Sequence, residues 1–264
     1  MLKKRADLLL MERGLCESRS KAQALVMAGQ VFSGDSRVEK PGTQLAEDAP
    51  LEVRGVDRFV SRGGHKLEGA LEAFAEQLGV AGAVCVDVGA STGGFTDCLL
   101  QRGVAKVYAV DVGQGQLAAK LVQDSRVEVR DKTNARFLAA KDFAEPIDLV
   151  VVDASFIGIG KLAGAIAATL RVEGHLVAMI KPQFEVGRDV ARRFKGVIRD
   201  PKLRQAAIEG VKAELEAVGF ELLAEADSKL PGPKGNLECF VLARLTSPPK
   251  EERDEPQNTS TQMS

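Results

Sequence analysis

From residue 83 onwards, short apolar runs alternate with segments whose apolar residues recur at helical spacing. The predicted strands cover 83–88, 106–112, 127–130, 147–153, 175–181, 221–227 and 237–242, and the clearest predicted helices cover 159–170 and 201–218. This alternation is typical of parallel sheets, because successive parallel strands need a crossover connection, which is usually a helix. The sequence therefore predicts an α/β fold with an open, mostly parallel sheet and helices on both faces.

The first 60 residues follow a different pattern. Two short helices are predicted, the second with Ser18 as N-cap and Gly29 as its stop, together with short strands near residues 30–32 and 51–53. Residues 54–61 have little periodicity and are predicted to be a connection. We therefore expect a small α+β domain over 1–60 and a large domain over 61–247. The polar, charged residues 248–264 are predicted to form a disordered tail.

The first strand of the large domain leads into a glycine-containing turn, residues 87–96, which precedes a helix. Glycines allow a ligand to approach the backbone closely, and free amides at a helix start favour polar groups. The turn lacks the G-x-G-x-x-G spacing of dinucleotide sites, so it favours an adenosine ligand without phosphate, such as S-adenosylmethionine. The alternative is a turn with no ligand, because many strand-to-helix connections carry two glycines.

A carboxylate at the tip of the second strand, Asp111, is well placed to bind a ribose diol. Asp131 and Asn134 follow the third strand and are predicted to lie near the adenine edge. The complete set of predicted cofactor-binding residues is Asp87, Gly89, Ser91, Gly93, Gly94, Phe95, Asp111, Asp131 and Asn134.

Charged residues end or interrupt several apolar segments of the large domain. Asp153 and Lys181 end two predicted strands, Glu238 is a lone acid in a late strand, and Lys66 precedes the first large helix. Ligands of open α/β sheets bind beyond the carboxyl ends of the strands, so these four residues are candidates for one site. Taken singly, each is better explained as a solvated strand end or, for Glu238, as an outward strand position, and only the four together favour a shared site.

The composition limits the other classes of function. The chain has four cysteines without a C-x-x-C motif and two histidines, so we expect no disulfide framework, no metal site and a reducing, cytoplasmic location. No apolar run approaches the ~20 residues that span a membrane, and the charged start does not resemble a signal peptide. We therefore expect no membrane association.

The formal net charge is only -1, but cations are concentrated near the start of the chain. The candidates for binding a polyanion such as RNA are Lys3, Lys4, Arg5, Arg19 and Lys21. The commoner meaning of such a charge run is a solvated helix face.

The motifs described above resemble those of a known protein family. Residues 61–245 resemble the FtsJ-like ribose 2'-O-methyltransferases, and the whole chain is similar to the TlyA (haemolysin A) family, in which an S4 RNA-binding domain precedes the methyltransferase. The methyltransferase motifs are Ser61-Arg62-Gly63-Gly64-His65-Lys66-Leu67, residues 87–96, Asp153-Ala154-Ser155-Phe156-Ile157, Lys181-Pro182-Gln183-Phe184-Glu185 and Gly232-Pro233-Lys234-Gly235-Asn236-Leu237-Glu238. The S4 motifs are Arg5-Ala6-Asp7-Leu8-Leu9-Leu10, Ser18-Arg19-Ser20-Lys21-Ala22 and Lys40-Pro41-Gly42.

The resemblance implies a Rossmann-like, class I S-adenosylmethionine-dependent methyltransferase fold behind an S4 domain. It implies a catalytic tetrad of Lys66, Asp153, Lys181 and Glu238, and a cytidine of ribosomal RNA as the target. The short N-terminus resembles the type that modifies the large ribosomal subunit, although small-subunit RNA stays open. The expected partners are ribosomal RNA or ribosomal subunits, and the expected state is a monomer or weak homo-oligomer.

Two other functions remain open from the sequence. One is a ribosome-assembly protein with a methyltransferase-like fold and no activity, although the presence of Lys66 and Lys181 disfavours it. The other is a pore-forming haemolysin, the activity behind one family name. The lack of a membrane-length apolar run disfavours that reading.

Overall fold

The computed structural model describes residues 3–55, 57–155, 157–232 and 234–247, without the side chains of 188 and 191. The tail predicted over 248–264 lies outside the described residues, as do Phe156 and Pro233 of two motifs. The chain forms two compact units, Met1–Arg58 and Phe59–Ser264.

Over its described residues, 3–55 and 57–58, the first unit contains two helices and five short strands. The helices are α1 (Ala6–Glu12) and α2 (Arg19–Met27), and the strands are β1 (Lys3–Arg5), β2 (Val31–Ser33), β3 (Ser36–Arg37), β4 (Gln44–Ala46) and β5 (Glu52–Val53). β1 pairs with β4, and β2 pairs with β3 and β5, all antiparallel. The predicted cap is confirmed, since Ser18 Oγ accepts a hydrogen bond from Lys21 N at 3.2 Å. Strands β1 and β4 were not predicted, because three-residue strands carry almost no periodicity.

The second unit contains seven strands and seven helices among its described residues. The strands are β6 (Val84–Val88), β7 (Lys106–Val110), β8 (Val127–Arg130), β9 (Ile147–Val152), β10 (Leu170–Ile180), β11 (Phe220–Asp227) and β12 (Cys239–Leu245). The helices are α3 (Arg62–Ala73), α4 (Gly94–Gln101), α5 (Ala119–Val122), α6 (Gly160–Thr169), α7 (Pro182–Glu185), α8 (Arg188–Arg193) and α9 (Pro201–Ala217).

The seven strands form one sheet in the order β11-β12-β10-β9-β6-β7-β8. Pairings from β10 through β8 are parallel, whereas β12 is antiparallel to both β10 and β11. The predicted mostly parallel sheet is therefore confirmed. The chain runs outward from β6 to β8 and then returns to β9 on the other side of β6. This reversal opens a crevice beyond the carboxyl ends of β6 and β9.

Apolar side chains cover both faces of the sheet. One core contains Leu67 and Leu71 of α3 and Leu99 of α4, and the other contains Ile166 of α6 and Val211 of α9. The central strands are buried on both faces, which is why they read as continuous apolar runs rather than alternating ones. Among the described residues, none of the helices combines the length and apolar character needed to cross a membrane.

Candidate active site

The turn after β6 is built around two glycines with positive φ. At Gly89, φ is +83°, and a Cβ atom there would lie 2.9 Å from the carbonyl oxygen of Asp153. At Gly93, φ is +94°, and a Cβ atom would lie 2.2 Å from Leu121 Cδ1. Both positions therefore demand glycine for reasons within the protein itself, in addition to any ligand. The close approach of Gly89 also brings the turn against the end of β9.

This turn borders an open cavity with about 360 Å³ of empty space. Its walls come from the turn, the end of β9 and the starts of α3 and α4, and the lining residues are Ser61, Gly63, Gly89, Ala90, Ser91, Thr92, Gly94, Phe95 and Asp153. The two helix starts meet closely, since a Cβ on Gly94 would lie 2.8 Å from Gly64 N. The cavity is therefore lined by predicted cofactor-binding residues and by Asp153, which is one member of the predicted tetrad.

Asp87 is completely buried at the end of β6. Its Oδ2 accepts hydrogen bonds from Thr96 N at 2.9 Å and Thr96 Oγ1 at 2.7 Å, whereas its Oδ1 has no hydrogen-bond partner among the described residues. Burial raises the pKa of Asp87 to about 7, and the charges of Asp153 and Asp111 add to that rise. Burial of a carboxylate oxygen without a hydrogen bond costs free energy. A cationic ligand that contacts this oxygen would reduce that cost.

Asp111 lies just after β7 and holds two backbone segments. Its Oδ2 accepts a hydrogen bond from Ser91 N at 2.8 Å, and its Oδ1 accepts one from Gly113 N at 2.7 Å. Ser91 has a positive φ of 48°, which an L residue adopts at a cost, and the bond to Asp111 helps to hold it there. Each carboxylate oxygen keeps a further lone pair for a ribose hydroxyl.

Asp131 and Asn134 lie in the segment after β8. Backbone hydrogen bonds from Lys132 N to Gly113 O and from Thr133 N to Asp111 O bring this segment beside Asp111. Asp131 Oδ2 accepts from Gly115 N at 2.8 Å, whereas Asn134 Oδ1 caps its own turn by accepting from Arg136 N at 3.1 Å. Asp131 is thus tied to the segment that follows Asp111, while the contacts of Asn134 remain within its own turn.

The four residues of the predicted tetrad form two lysine–carboxylate pairs. Lys66 Nζ donates to Glu238 Oε2, and the two residues are 7% and 1% exposed. Lys181 Nζ lies 2.6 Å from Asp153 Oδ1, an ion pair whose angles lie outside hydrogen-bond geometry. Buried charges are tolerated when they are paired in this way.

Strand register brings the two pairs to one edge of the sheet. Ile180 of β10 pairs with Cys239 of β12, so the next residue of one strand, Lys181, stands beside the preceding residue of the other, Glu238. Asp153 directly follows Val152, which pairs with Ala178 of β10. Glu238 directly precedes β12 and is buried. Its alternative interpretation as an outward strand position is wrong, because a carboxylate with Lys66 as partner can be buried.

The predicted RNA-binding cations are mostly paired. Asp7, fully buried on α1, accepts hydrogen bonds from Arg5 at 2.8 Å and Arg19 at 3.2 Å, and the Arg5 guanidinium holds the pKa of Asp7 well below its usual range. Lys4 forms ion pairs with Glu12 and Glu47. Lys3 and Lys21 are exposed and form no ion pair with the described residues. Hence Arg5 and Arg19 also stabilise the first unit.

Sequence reasoning assigned no role to Ser155, whose Oγ accepts a hydrogen bond from Lys181 Nζ at 2.9 Å. It also missed Asn236, which is 4% exposed and ties the loop before Glu238 to Ile198 N and Gly196 O. The available signal was position, because each residue stands two places from a predicted tetrad member. Within the described residues, no group of three His, Cys, Asp or Glu side chains could hold a metal ion.

Comparison with known proteins agrees with this architecture. Residues 59–245 match the FtsJ-like methyltransferase family, and residues 4–49 match the S4 domain. The chain is 43% identical over 242 residues to the 16S/23S rRNA (cytidine-2'-O)-methyltransferase TlyA of Mycobacterium tuberculosis, covering 91% of this chain and 89% of the relative. It is 40% identical over 239 residues to Hemolysin A of Brachyspira hyodysenteriae, covering 90% and 98%.

A solved structure of a hemolysin-like protein from Streptococcus thermophilus has 39% sequence identity and a TM-score of 0.70, and the match covers 94% of this chain and 90% of that one. The matches extend over both units of the chain. They agree with a small N-terminal unit that is followed in the sequence by a unit with a mostly parallel sheet. The chain therefore belongs to the FtsJ-like methyltransferase family, in the TlyA (haemolysin A) branch that joins an S4 domain to the methyltransferase domain.

Proposed function

We propose that this protein transfers a methyl group from S-adenosylmethionine to the ribose 2'-oxygen of a cytidine in ribosomal RNA. The observation that carries the proposal is that two lysine–carboxylate pairs, one buried and one partly exposed, lie at the same sheet edge as the cavity beside the glycine turn. Asp153 belongs to both, since it lines the cavity and pairs with Lys181. Relatives named for this reaction support the substrate class.

The residues fit the proposed cofactor. S-adenosylmethionine is cationic at its sulfonium and amino groups, and Asp87 has a buried carboxylate oxygen to which no described residue donates a hydrogen bond. We assign Asp111 to the ribose hydroxyls and the turn residues Gly89, Ser91, Gly93, Gly94 and Phe95 to the remainder of the cofactor, with Asp131 and Asn134 toward the adenine. The chemistry supplied by the bound cofactor is a methyl group on a sulfonium, already a strong electrophile.

Lys181 is the proposed base or activator of the ribose hydroxyl. Its Nζ lies 2.6 Å from Asp153 Oδ1, and in the proposed role it accepts the proton that leaves the 2'-oxygen as the methyl group is transferred. Asp153, Lys66 and Glu238 hold this amine and the ribose in place. Orientation of the reacting groups contributes as much as proton removal, because the methyl donor is already activated.

RNA recognition is assigned to the S4 domain. Its exposed cations Lys3 and Lys21, together with Lys4, Arg5 and Arg19, are proposed to face phosphates. The proposed limits are 1–60 for this domain and 61–247 for the methyltransferase, with 248–264 as a tail. We place the protein in the cytoplasm, acting on large-subunit RNA as a monomer or weak homo-oligomer, without a metal ion.

The test is transfer of tritiated methyl groups to ribosomal RNA and to separated ribosomal subunits, followed by nucleoside mapping. We expect labelled 2'-O-methylcytidine at one position, and no label when that position carries 2'-deoxycytidine. The small subunit is assayed alongside, because the Mycobacterium tuberculosis relative is named for both RNAs.

Lys181→Ala should abolish transfer. Lys212→Ala, which removes a surface lysine paired with Glu209 and Glu225, should leave it unchanged. RNA binding without any methyl transfer by the wild-type protein would favour an assembly factor instead.

A further inference from the structure

The amine of Lys181 has more partners than the proposed tetrad supplies. Its Nζ lies 2.6 Å from Asp153 Oδ1, 3.4 Å from the Asp153 carbonyl oxygen and 2.9 Å from Ser155 Oγ. The Asp153 carbonyl oxygen and Ser155 Oγ accept hydrogen bonds from the ammonium, whereas the contact with Asp153 Oδ1 is an ion pair. The two oxygens of Asp153 come from the end of β9, whereas Ser155 contributes a neutral hydroxyl from the loop beyond it.

Ser155 differs from the other groups around Lys181 in exposure. Lys181 is 8% exposed, and Lys66 and Glu238 are buried with it, but Ser155 is exposed. The Ser155 hydroxyl therefore contacts the Lys181 amine from the solvent side. A substrate hydroxyl approaches the amine from this same side. A serine hydroxyl and a ribose hydroxyl make the same kind of hydrogen bond, so the Ser155 contact keeps the amine oriented for such a partner.

Glu185 ties the loop that carries Ser155 to the helix that follows Lys181. Glu185 ends α7, which starts one residue after Lys181, and its Oε1 accepts a hydrogen bond from Ile159 N at 3.1 Å. Gly158 permits this contact, since a Cβ there would lie 2.6 Å from Glu185 Oε2. One hydrogen bond thus links the segment after Asp153 to the segment after Lys181.

We propose that Ser155 is a positioning residue for Lys181, held in place by the bond between Glu185 and Ile159. The inference rests on the proposed 2'-O-methyl transfer. When the ribose proton passes to Nζ, Ser155 Oγ accepts a hydrogen bond from the resulting ammonium and adds no charge to the site. The charged groups that face the amine are Asp153 from β9 and the Lys66–Glu238 pair from α3 and the residue before β12.

The primary test compares Ser155→Ala and Ser155→Thr in the methyl-transfer assay with full-length protein. Loss of a hydrogen bond to a charged group should lower kcat about tenfold in Ser155→Ala, with KM for RNA and the affinity for S-adenosylmethionine within about twofold of wild type. Ser155→Thr retains the hydroxyl and should recover most of the loss.

Ser125→Ala is the matched control, since Ser125 is an exposed serine of the same unit. It should behave as wild type in kcat and in KM for RNA. If Ser155→Ala has wild-type kcat, or if Ser155→Thr loses as much kcat as Ser155→Ala, the inference is overturned while the proposed function stands. A wild-type protein that transfers no methyl group overturns both.

Glu185→Ala provides a second, independent variant. Because Glu185 acts through the position of Ser155, the losses in Glu185→Ala and Ser155→Ala should be less than additive in the double variant. Thermal unfolding identifies any variant that has lost its fold. Full additivity, with all variants folded, would show that Glu185 does not act through Ser155 and would overturn the positioning argument.

Discussion

Lys66 and Glu238 are separated by 172 residues in the sequence, yet their side chains form a buried ion pair beside the end of β10. Lys66 comes from the first helix of the large unit, and Glu238 immediately precedes the last strand of the sheet. The pair therefore joins the start of the methyltransferase unit to its end, next to the second pair formed by Asp153 and Lys181.

Removing one partner of this pair should be more damaging to stability than removing both. Lys66→Met leaves the Glu238 carboxylate buried without a counter-charge, which should cost about 3–5 kcal/mol. The double variant Lys66→Met/Glu238→Gln should recover most of that loss but remain inactive in methyl transfer. Urea denaturation measures the stability, and a double variant less stable than Lys66→Met would contradict the argument.

Arginine should not replace Lys181. The guanidinium keeps its charge at neutral pH, so Lys181→Arg cannot accept the ribose proton and should lose most of its turnover while still binding S-adenosylmethionine. Near-normal turnover in Lys181→Arg would make Lys181 an electrostatic positioner rather than a base. Lys212→Arg serves as the surface control.

S-adenosylmethionine should bind more tightly as pH rises through 7. The pKa of Asp87 is about 7 in the folded protein and 3.8 ordinarily, so in the folded state its carboxylate becomes charged between pH 6 and 8. A cationic ligand prefers the charged form, and affinity should increase by up to about tenfold over that range. Without ligand, the raised pKa of Asp87 has the opposite effect on the free energy of unfolding. Asp87 contributes stability below about pH 4, and this contribution is lost as pH rises through 7.

Calorimetry at several pH values tests the Asp87 assignment. Asp87→Asn should show only the titration of the ligand itself. Glu185 also has a pKa raised to about 7 by burial but has no assigned cofactor contact, so Glu185→Gln should retain the wild-type pH dependence. If Glu185→Gln rather than Asp87→Asn removes it, the assignment of Asp87 is wrong.

Loss of Asp111 should weaken cofactor binding by about 1–3 kcal/mol, the scale of charge-assisted hydrogen bonds. Asp111→Ala removes the proposed ribose contact and also the two bonds that hold Ser91 and Gly113. Asp131→Ala, which loses a single backbone bond to Gly115, should have a smaller effect. Unchanged affinity in Asp111→Ala would contradict the placement of the adenosine ribose.

The cations of the S4 domain should separate into two groups. Lys3→Ala and Lys21→Ala should weaken RNA binding and reduce its salt dependence by about one unit of slope each, without changing thermal stability. Arg5→Ala and Arg19→Ala should also lower stability, because each removes a partner of the buried Asp7. Thermal unfolding and RNA titrations at several salt concentrations distinguish the groups, and cofactor affinity should change in neither.

The large-scale fold could be predicted because its signal is local. The runs at 84–88 and 147–152 are mostly apolar because both faces of a central strand are covered. This pattern can be recognised in the sequence without knowing which strands are neighbours in the sheet. The early start of β10 at Leu170 was missed, because Leu170 continues the apolar pattern of the preceding helix, residues 171–173 are exposed, and the strand pairs irregularly with β9. The direction of β12 was also invisible, because antiparallel and parallel partners of a buried strand have similar sequences.

The identity of the candidate site residues came from the sequence, through charged groups at strand ends and their resemblance to a family motif. Their partners came only from tertiary structure. Which lysine pairs with which acid depends on strand register and on the packing of α3, and neither is encoded by local periodicity. The same holds for Asp7, whose burial between Arg5 and Arg19 changes two candidate RNA contacts into residues that also stabilise the domain. A sequence determines which groups are charged, but only the folded chain determines which charges lose their water and must therefore find each other.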